Sequence, residues 1–472
     1  MKTKLCKYVV RSVCLWCLGT SFVVAQSTYE PYSFSTIAGL ASLTAGSADG
    51  TNRVARFNWP IAMAMDGAGN LLVADYNNHA IRKITSAGMN WVVTTVVGMK
   101  GVAGSADGTN SAVRFNNPAG LAVDNAGNVY VLDAMNDAVR KVTPTGTNWV
   151  VTTLAGRPGS HGSQDGTNGD ARFYFSIYGG GALAVDSATN VFVADPGNRT
   201  IRKITPMGTN WVVTTLAGKP GVYGTADGTN SSARFCVPDG MAVDGAGNLY
   251  VVDMANCAIR EVAPVGTNWV VTTLAGLGGI DANGPLYPGS ADGTNSVARF
   301  NRPGAVALDS AGNLYVVDSV NDEIRKVTPV GTNWVATTLA GMAGSAGTAD
   351  GTGSAARFYL GYVATYPNYY VGGAVTVDST GNLYVADTFN NTIRKGYRPL
   401  SIASSGAGLG LSEGSLDLAI TGPAGQSVVL ETSPDLGNWT SCWTNTFMVG
   451  PLHFCDTNCA SSPHRFYRAH RP

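Results

Sequence analysis

Short apolar runs separated by turn residues repeat along most of the chain. In one unit, the run LAVD at residues 121–124 is followed by a Gly-Asn turn and by the run VYVLD at residues 129–133. The polar segment NDAVRK and the run NWVVTTLAG complete the same unit. The two middle runs are almost continuously apolar, which is typical of strands covered on both faces. The pattern therefore predicts units of four short antiparallel strands, with no room for a helix of ten residues.

A polar loop with an Asp-Gly pair opens each unit and sets the repeat length. The six copies lie 58 to 65 residues apart, measured between Asp49, Asp107, Asp165, Asp227, Asp292 and Asp350. Four-stranded sheets buried on both faces and repeated at this period pack radially, because each blade covers the faces of its two neighbours. We predict an all-β fold in which residues 32–398 form a six-bladed β-propeller.

The two ends of the array predict how the ring closes. Five units end in a strand that begins with a tryptophan, whereas the sixth runs from Lys395 into GYRPL and has no such strand. The segment YSFSTIAG at residues 32–39 precedes the first unit and matches the missing strand. We predict that this N-terminal strand completes the sixth blade beside residues 392–395, which removes an exposed sheet edge.

Two strings carry a resemblance to a known family. GNLYVADTFNNTIRK at residues 381–395 and LLVADYNNHAIRK at residues 71–83 are similar to NHL repeats, and the longer unit resembles the NHL arrays of teneurins and of secreted bacterial repeat proteins. The resemblance implies a six-bladed propeller. The Asn-His pair occurs only at Asn78 and His79, so the resemblance implies no histidine chemistry.

Each unit carries an Asp at the end of its second run, an Asn three residues later and an Arg seven residues later. The sets are Asp75/Asn78/Arg82, Asp133/Asn136/Arg140, Asp195/Asn198/Arg202, Asp253/Asn256/Arg260, Asp318/Asn321/Arg325 and Asp387/Asn390/Arg394. We interpret them as structural caps, because an Asp and an Arg across a hairpin satisfy each other and Asn favours turns. We extend this interpretation to the opening loops, where Arg56 follows Asp49 by seven residues. The alternative is calcium bound by each DGTN, although calcium takes about six oxygens and the loop offers two or three.

Three units carry extra residues between the outer strand and the next inner strand, at residues 173–181, 277–290 and 358–373. In an antiparallel blade this connection shares a face with the turn between the second and third strands, so we expect one loop-rich face. Aromatic rings with polar tips suit sugar, peptide or protein recognition; the alternative is that the rings plug the channel or pack together. The predicted ligand-binding residues are Trp59, Tyr174, Tyr178, Tyr287, Tyr359, Tyr362, Tyr366, Tyr369 and Tyr370.

Composition and the chain ends narrow the class of protein. Lys+Arg and Asp+Glu both total 31, so no net field favours nucleic acid. Residues 1–25 have a basic start and a short apolar stretch, which predicts a signal peptide, and no later run is long enough to span a membrane. Export favours disulfides, and we predict one between Cys236 and Cys257, which fall on the loop-rich face of one blade.

Residues 405–472 depart from the repeat and follow a Gly/Ser-rich link. They contain the predicted strands SLDLAI and SVVLETS and a closing strand in HRFYRAH. Their LExSxDLxNW and RFYR patterns resemble the small β-sandwich, immunoglobulin-like modules that end secreted bacterial repeat proteins. Cys442 could pair with Cys455 or Cys459.

The combined prediction is a monomeric binding scaffold that is secreted, periplasmic or on the cell surface. Its expected ligand is a protein, a peptide or a carbohydrate. The alternative is a propeller hydrolase or lyase with a metal in the channel, although the only propeller histidines, His79 and His161, belong to different blades. We predict no catalytic residue, no metal ligand and no cofactor, with structural or channel calcium as the open alternative.

Overall fold

The structure is a computed structural model that describes residues 32–41, 45–175, 180–281, 284–285, 287–365, 368–402, 409–412, 415–422, 427–433, 438–447, 452–456 and 466–470. The predicted signal peptide at residues 1–25 lies outside these residues. Across the described residues, no helix is both long enough and apolar enough to cross a membrane.

Six antiparallel sheets, counted within the described residues, form the blades of the predicted propeller. Each has five strands rather than the predicted four. Blade 1 contains β2 (Gly50–Thr51), β3 (Pro60–Met65), β4 (Leu71–Asp75), β5 (Ala80–Ala87) and β6 (Asn90–Val97). Blade 2 contains β7 (Gly108–Thr109), β8 (Pro118–Val123), β9 (Val129–Asp133), β10 (Ala138–Thr145) and β11 (Asn148–Gly156). Blade 3 contains β12 (Gly166–Thr167), β13 (Leu183–Val185), β14 (Val191–Asp195), β15 (Thr200–Met207) and β16 (Asn210–Gly218).

The remaining blades repeat this order, with two additional short hairpins in their connections. Blade 4 contains β17 (Gly228–Thr229), β18 (Pro238–Val243), β19 (Leu249–Asp253), β20 (Ala258–Val265) and β21 (Asn268–Ala275), and is followed by the hairpin of β22 (Ile280–Asp281) and β23 (Gly284–Pro285). Blade 5 contains β24 (Gly293–Thr294), β25 (Ala305–Leu308), β26 (Leu314–Asp318), β27 (Glu323–Val330) and β28 (Asn333–Gly341). Blade 6 contains β1 (Ser33–Ala38), β29 (Gly351–Thr352), β32 (Ala374–Val377), β33 (Leu383–Asp387) and β34 (Thr392–Tyr397), with the hairpin of β30 (Gly361–Thr365) and β31 (Asn368–Val371) before its inner strand.

The fifth strand of each blade comes from the polar opening loop. The loop sequence therefore occurs six times, once for each blade. Its Gly-Thr pair forms a two-residue strand outside the long outer strand, with Gly50 opposite Val93 in blade 1. A single turn of 3-10 helix follows each pair, as at Asn52–Val54. The short added strand covers the edge that the outer strand would otherwise expose.

The N-terminal strand closes the ring, as the sequence predicts. β1 pairs antiparallel with β34, with Ser35 opposite Lys395 and Thr36 opposite Arg394. β1 thereby takes the place of the outer strand that the sixth unit lacks. The innermost strand of each blade contacts that of the next blade, and β32 contacts β3, so the circle is complete.

The core lies between blades and is built by the second and third strands of each sheet. All five residues of β4, LLVAD, are buried, as are those of the corresponding strands of the other blades. The phenylalanine that ends each opening loop is also buried, at Phe57, Phe115, Phe173, Phe235, Phe300 and Phe358. The strands are continuously apolar because both of their faces are covered.

Two small sheets follow the propeller. They contain β35 (Ser401–Ile402), β36 (Leu409–Ser412), β37 (Ser415–Thr421), β38 (Ser427–Ser433), β39 (Thr440–Thr446), β40 (Leu452–Asp456) and β41 (Phe466–His470). β37 pairs with β35, β36 and β40, whereas β38 pairs with β39 and β41. Leu418 and Ile420 of one sheet share a buried cluster with Val428 and Leu430 of the other. The predicted strands of this region are therefore present and pack against each other.

Candidate functional site

The repeated Asp/Asn/Arg sets join the turn after the second strand to the opening loop, as the blade 1 set shows. One oxygen of Asp75 accepts hydrogen bonds from the Asn78 amide at 2.7 Å and from Arg82 Nη1 at 2.6 Å, and the other accepts from the Asn58 N–H at 2.8 Å. Arg82 Nη2 reaches Asp49 Oδ1 at 2.7 Å. The Arg82 guanidinium lies 5.3 Å from the centre of the Phe57 ring. Burial raises the pKa of Asp75, while the positive charge of Arg82 and these hydrogen bonds oppose the rise.

The same contacts recur around the ring and support the structural interpretation of these residues. Ion pairs join the loop aspartates to the strand arginines at Arg140–Asp107, Arg202–Asp165, Arg260–Asp227, Arg325–Asp292 and Arg394–Asp350. The loop carboxylate that a calcium ion would need is thus committed to an arginine. Within the described residues, no group of three or more His, Cys, Asp or Glu side chains is placed to hold a metal ion.

The extension of this interpretation to Asp49 and Arg56 is wrong. Arg56 Nη1 instead donates to the backbone carbonyls of Arg53, Val54 and Ala55 at 2.6 to 2.9 Å. The guanidinium of Arg56 folds back over the 3-10 turn that precedes it, so Asp49 is left to pair with Arg82 from the third strand.

The residue that follows each buried Asn forms a link to the next blade. His79 adopts a left-handed backbone conformation with φ of 54°, which His, Asn and Asp tolerate better than other side chains. Its Nδ1 accepts a hydrogen bond from the N–H of Asn117 in blade 2 at 3.1 Å. We call the side chain at this position the latch. Four other latches also accept a backbone N–H of the next blade, at Asp137–Phe175, Cys257–Arg302, Asp322–Leu360 and Asn391–Trp59. The sixth, Arg199, instead donates from Nη1 to the Cys236 carbonyl at 2.7 Å.

The predicted disulfide between Cys236 and Cys257 is not formed in this structure, where both are buried free thiols. Cys257 is the latch of blade 4, and its Sγ accepts the N–H of Arg302 in blade 5 at 3.3 Å. Cys236 Sγ lies 4.0 Å from Arg199 Nη1, the latch of blade 3. Each sulfur is therefore engaged with a neighbouring blade. Burial raises the pKa of both thiols to about 12. Cys455 is also a free thiol, the Cys442 Sγ donates to the Leu430 carbonyl at 3.3 Å, and Cys459 lies outside the described residues.

The Asp322 latch makes the stability of the ring depend on pH. Burial raises the pKa of Asp322 to about 7, and the carboxylates of Asp387 and Asp318 add to the rise. An unfolded Asp has a pKa near 3.9, so between about pH 4 and pH 7 the folded protein holds a proton that the unfolded chain has released. The free energy of unfolding should then fall as the pH rises, by about 1.4 kcal/mol per pH unit for one such group.

We expect Asp322→Asn to make this pH dependence shallower, because an amide does not titrate. The variant should keep the latch contact, since Asn391 accepts the Trp59 N–H at 2.9 Å at the equivalent position. Urea unfolding at pH 5, 6 and 7 measures the slope for the variant and for the wild type. An identical slope in both proteins would show that Asp322 does not titrate in this range.

The channel of the ring contains a narrow cavity at one mouth. Its volume is about 100 Å³. It is lined by residues from the first half of the inner strands, such as Ile61, Ala119 and Val306, and by Met254 from a turn after a second strand. Both the starts of the inner strands and these turns lie at the edge of the blades that carries the inserted segments. The cavity therefore opens toward the loop-rich face.

Asp239 is the one charged side chain among the described residues that line this cavity. It follows Pro238 at the start of the inner strand of blade 4. In three other blades a proline also precedes this position, and the residue after it is Ile61, Ala119 or Gly304. Its Oδ1 accepts the Gly181 N–H at 2.9 Å. Burial raises the pKa of Asp239 to about 7. Sequence reasoning missed this residue, although a charge at an otherwise apolar position of the repeat is a signal that could have identified it.

Two of the predicted aromatic residues, Trp59 and Tyr359, contact the same ring, that of Phe389, which was not predicted. Trp59 lies 5.0 Å from Phe389, edge to face, and Tyr359 lies 5.1 Å from the same ring, measured between ring centres. Both residues are partly buried. We call Trp59, Tyr359 and Phe389 the aromatic cluster.

The other predicted aromatic residues are placed apart from this cluster or are not described. Tyr174 stacks on His161 with ring centres 4.5 Å apart, and Tyr287 is 48% exposed. Tyr362, Tyr369 and Tyr370 belong to the β30–β31 hairpin, whose register pairs Tyr362 with Tyr370. Two further predictions, Tyr178 and Tyr366, fall outside the described residues.

The fold and the loop-rich channel mouth define the class of the protein, a six-bladed β-propeller closed by its N-terminal strand. The NHL repeat family matches residues 57–84. The chain therefore contains an NHL repeat, as the sequence resemblance implies. Its latch and capping contacts give a structural reason for the Asn and His positions of that repeat.

Named relatives share the propeller region. The chain is 28% identical over 342 residues to the chloroplastic protein SUPPRESSOR OF QUENCHING 1 of Arabidopsis thaliana, which covers 71% of this chain and 30% of that protein. It is 28% identical over 366 residues to NHL repeat-containing protein 2 of Bos taurus, covering 71% of this chain and 46% of the relative. The chain thus matches less than half the length of either protein.

A solved structure shares the fold. An auxiliary nutrient binding protein from Bacteroides thetaiotaomicron superposes with a TM-score of 0.53 at 16% identity, covering 77% of this chain and 76% of that chain. At this level of identity the similarity concerns the architecture of the propeller.

Proposed function

We propose that this protein is an exported binding scaffold that takes a protein, peptide or carbohydrate ligand on the loop-rich face of its propeller. The observation that carries the proposal is the position of the β30–β31 hairpin. It enters the connection that leads into the inner strand of blade 6, and the β22–β23 hairpin enters the corresponding connection of blade 5. A symmetric scaffold gains a specific site where its symmetry is broken, because one ligand cannot use six equivalent positions.

The aromatic cluster supports the same face. Trp59 and Tyr359 belong to the connections that lead into inner strands, and Phe389 belongs to a turn after a second strand. The Trp59 carbonyl accepts the Tyr76 N–H at 3.2 Å. This bond joins the connection before the inner strand of blade 1 to the turn after the second strand of the same blade. Rigid rings provide contact area at a low cost in conformational entropy, so they suit recognition. The solved neighbour that is named a nutrient binding protein is compatible with such a role.

The described channel residues favour this proposal over a channel-metal enzyme. A catalytic metal is commonly held by three protein ligands, whereas the described lining of the cavity supplies one carboxylate, Asp239. The propeller histidines have structural contacts, since His79 is a latch and His161 stacks on Tyr174. We also propose that the protein is monomeric and that residues 1–25 direct its export, as the sequence predicts.

Replacing the hairpin will test the proposal. Gly361 and Val371 are paired, and the Gly372 N–H donates to the Leu360 carbonyl at 2.8 Å, so the ends of the hairpin are already adjacent. Substituting Asn-Gly for residues 362–370 should form a tight turn there. We expect binding to glycan and peptide arrays to be lost while the melting temperature stays within a few degrees of the wild type. The double variant Tyr366→Ala/Tyr369→Ala should reproduce the loss.

Met89→Ala is the matched control. Met89 is 98% exposed and lies in the turn between the third and fourth strands, which is on the opposite face. This variant should bind as the wild type does. Undiminished binding by the hairpin replacement would contradict the proposed face.

A further inference from the structure

The walls of the channel cavity combine apolar side chains with one carboxylate. Ile61, Met241, Met254 and Val306 contribute apolar surface to a space of about 100 Å³. This space is large enough for ordered water or a short alkyl chain. The carboxylate of Asp239 is the only charge among the described lining residues.

Asp239 is poorly compensated in this position. Gly181 N–H is the hydrogen-bond donor that the described residues provide to it, and none of their Lys or Arg side chains forms an ion pair with it. By contrast, Asp195 and Asp253 of the neighbouring caps are each paired with an arginine within about 3 Å. Even partial removal of a carboxylate from water carries a free-energy cost when no counter-charge is present. Asp239 keeps access to solvent through the cavity it lines, and an occupant that brings a positive charge and N–H donors would offset that cost.

The backbone around Asp239 narrows the channel and holds the carboxylate in place. The Gly240 N–H donates to the Gly304 carbonyl at 3.1 Å, a direct bond between the inner strands of blades 4 and 5. A Cβ atom at Gly240 would lie 2.5 Å from Ala305 Cα, so this approach requires glycine. This contact fixes the backbone of the residue that follows Asp239.

We propose that the cavity binds a primary alkylammonium group, with the ammonium donating to Asp239 and the methylene stem against the apolar wall. The ligand could be a free alkylamine or the lysine side chain of a peptide or protein, which share this chemistry. The proposal rests on the proposed function only in placing the ligand at the loop-rich face.

Calorimetric titration with n-butylammonium at pH 8 will test this site. We expect saturable binding that is weakened at least about tenfold in Asp239→Asn, because the neutral amide leaves the ammonium without a counter-charge. n-Butanol, which has the stem without the charge, should not bind. The control Asp244→Asn changes a turn carboxylate at the opposite mouth, where Asp244 accepts the Ala246 and Asn248 N–H groups, and should bind n-butylammonium as the wild type does.

The pH profile gives a second readout that needs no variant. Burial raises the pKa of Asp239 to about 7, so the carboxylate becomes protonated below that pH while the amine stays charged. The dissociation constant of the wild type should rise about tenfold between pH 8 and pH 6, because the ionised fraction of Asp239 falls by that factor. Equal affinity at pH 8 and pH 6, equal affinity of Asp239→Asn, or no saturation up to about 50 mM would each overturn the proposal.

Two further experiments identify the source of the ligand and distinguish the amine site from the proposed function. Binding of Nα-acetyl-lysine amide would identify a lysine side chain as the ligand, whereas binding of n-butylammonium alone would identify a free amine; both outcomes support the site. The hairpin replacement described above should retain n-butylammonium, since it keeps Asp239 and all the described residues that line the cavity. Amine binding without array binding would leave this site standing and reject the proposed function, and array binding without amine binding would do the reverse.

Discussion

Replacing Arg140 with methionine will lower the free energy of unfolding by about 3 to 5 kcal/mol, the usual cost of leaving a buried charge without its partner. Arg140 is fully buried and donates from Nη1 to Asp133 at 2.7 Å and from Nη2 to Asp107 at 2.5 Å. Its loss leaves the buried Asp133 with hydrogen bonds from Asn116 and Asn136 but with no positive charge. Urea unfolding at pH 7 measures the change.

Two companion variants make this result specific to the buried pair. Arg114→Met should cost about 1 kcal/mol or less, because Arg114 donates to the backbone carbonyls of Ser111 and Val113 near the surface. The double variant Asp133→Asn/Arg140→Met should be more stable than Arg140→Met alone, since it removes the uncompensated charge. A loss below 1 kcal/mol for Arg140→Met would show that the cap contributes little to stability.

Replacing Phe34 with alanine should cost about 3 to 5 kcal/mol and weaken the closure of the ring. Phe34 lies on β1, is 2% exposed, and meets Phe358 edge to face with ring centres 5.1 Å apart. It pairs with Gly396 of β34, and a Cβ atom at Gly396 would lie 2.5 Å from the Phe34 ring. The ring of Phe34 therefore occupies the space that a side chain at Gly396 would need.

A double-mutant cycle can test this exchange of volume. In blade 2 the corresponding pair is Val142 opposite Val151. Gly396→Val alone should destabilise the protein by about 1 to 3 kcal/mol through overpacking. Phe34→Val/Gly396→Val should recover part of that loss, because it recreates the pair of blade 2. Additive effects of the two single changes would contradict direct packing between Phe34 and Gly396.

Much of the candidate site depends on contacts between blades, which sequence spacing does not report. The spacing of seven residues correctly paired Asp75 with Arg82 but wrongly suggested Asp49 with Arg56. Both pairs have the same separation along the chain and enclose a 3-10 turn, yet only the first turn joins two paired antiparallel strands, β4 and β5. The folded path of the backbone between the two residues decides which pair forms.

The latch and the cavity show the same limit. His79, Cys257 and Asp322 share a left-handed backbone position, so their side chains point forward to the next blade despite their different chemistry. Because its side chain points to the next blade, Cys257 accepts the N–H of Arg302 and does not form the predicted disulfide. Asp239 lines the cavity because the six inner strands meet around it. The sequence of one repeat does not show which residues of different blades come close to each other.

The sequence by itself determined the number of repeats, four of the five strands of each blade, and the closure of the ring by residues 33–38. Those features follow from the local pattern of apolar residues and from the comparison of equivalent repeats, and both can be read directly from the sequence. Only the tertiary structure decided the partners of Asp49, the course of the latches and the isolation of Asp239 in the channel. Each of these depends on distances between blades, and such distances are set when the sheets pack around a common axis.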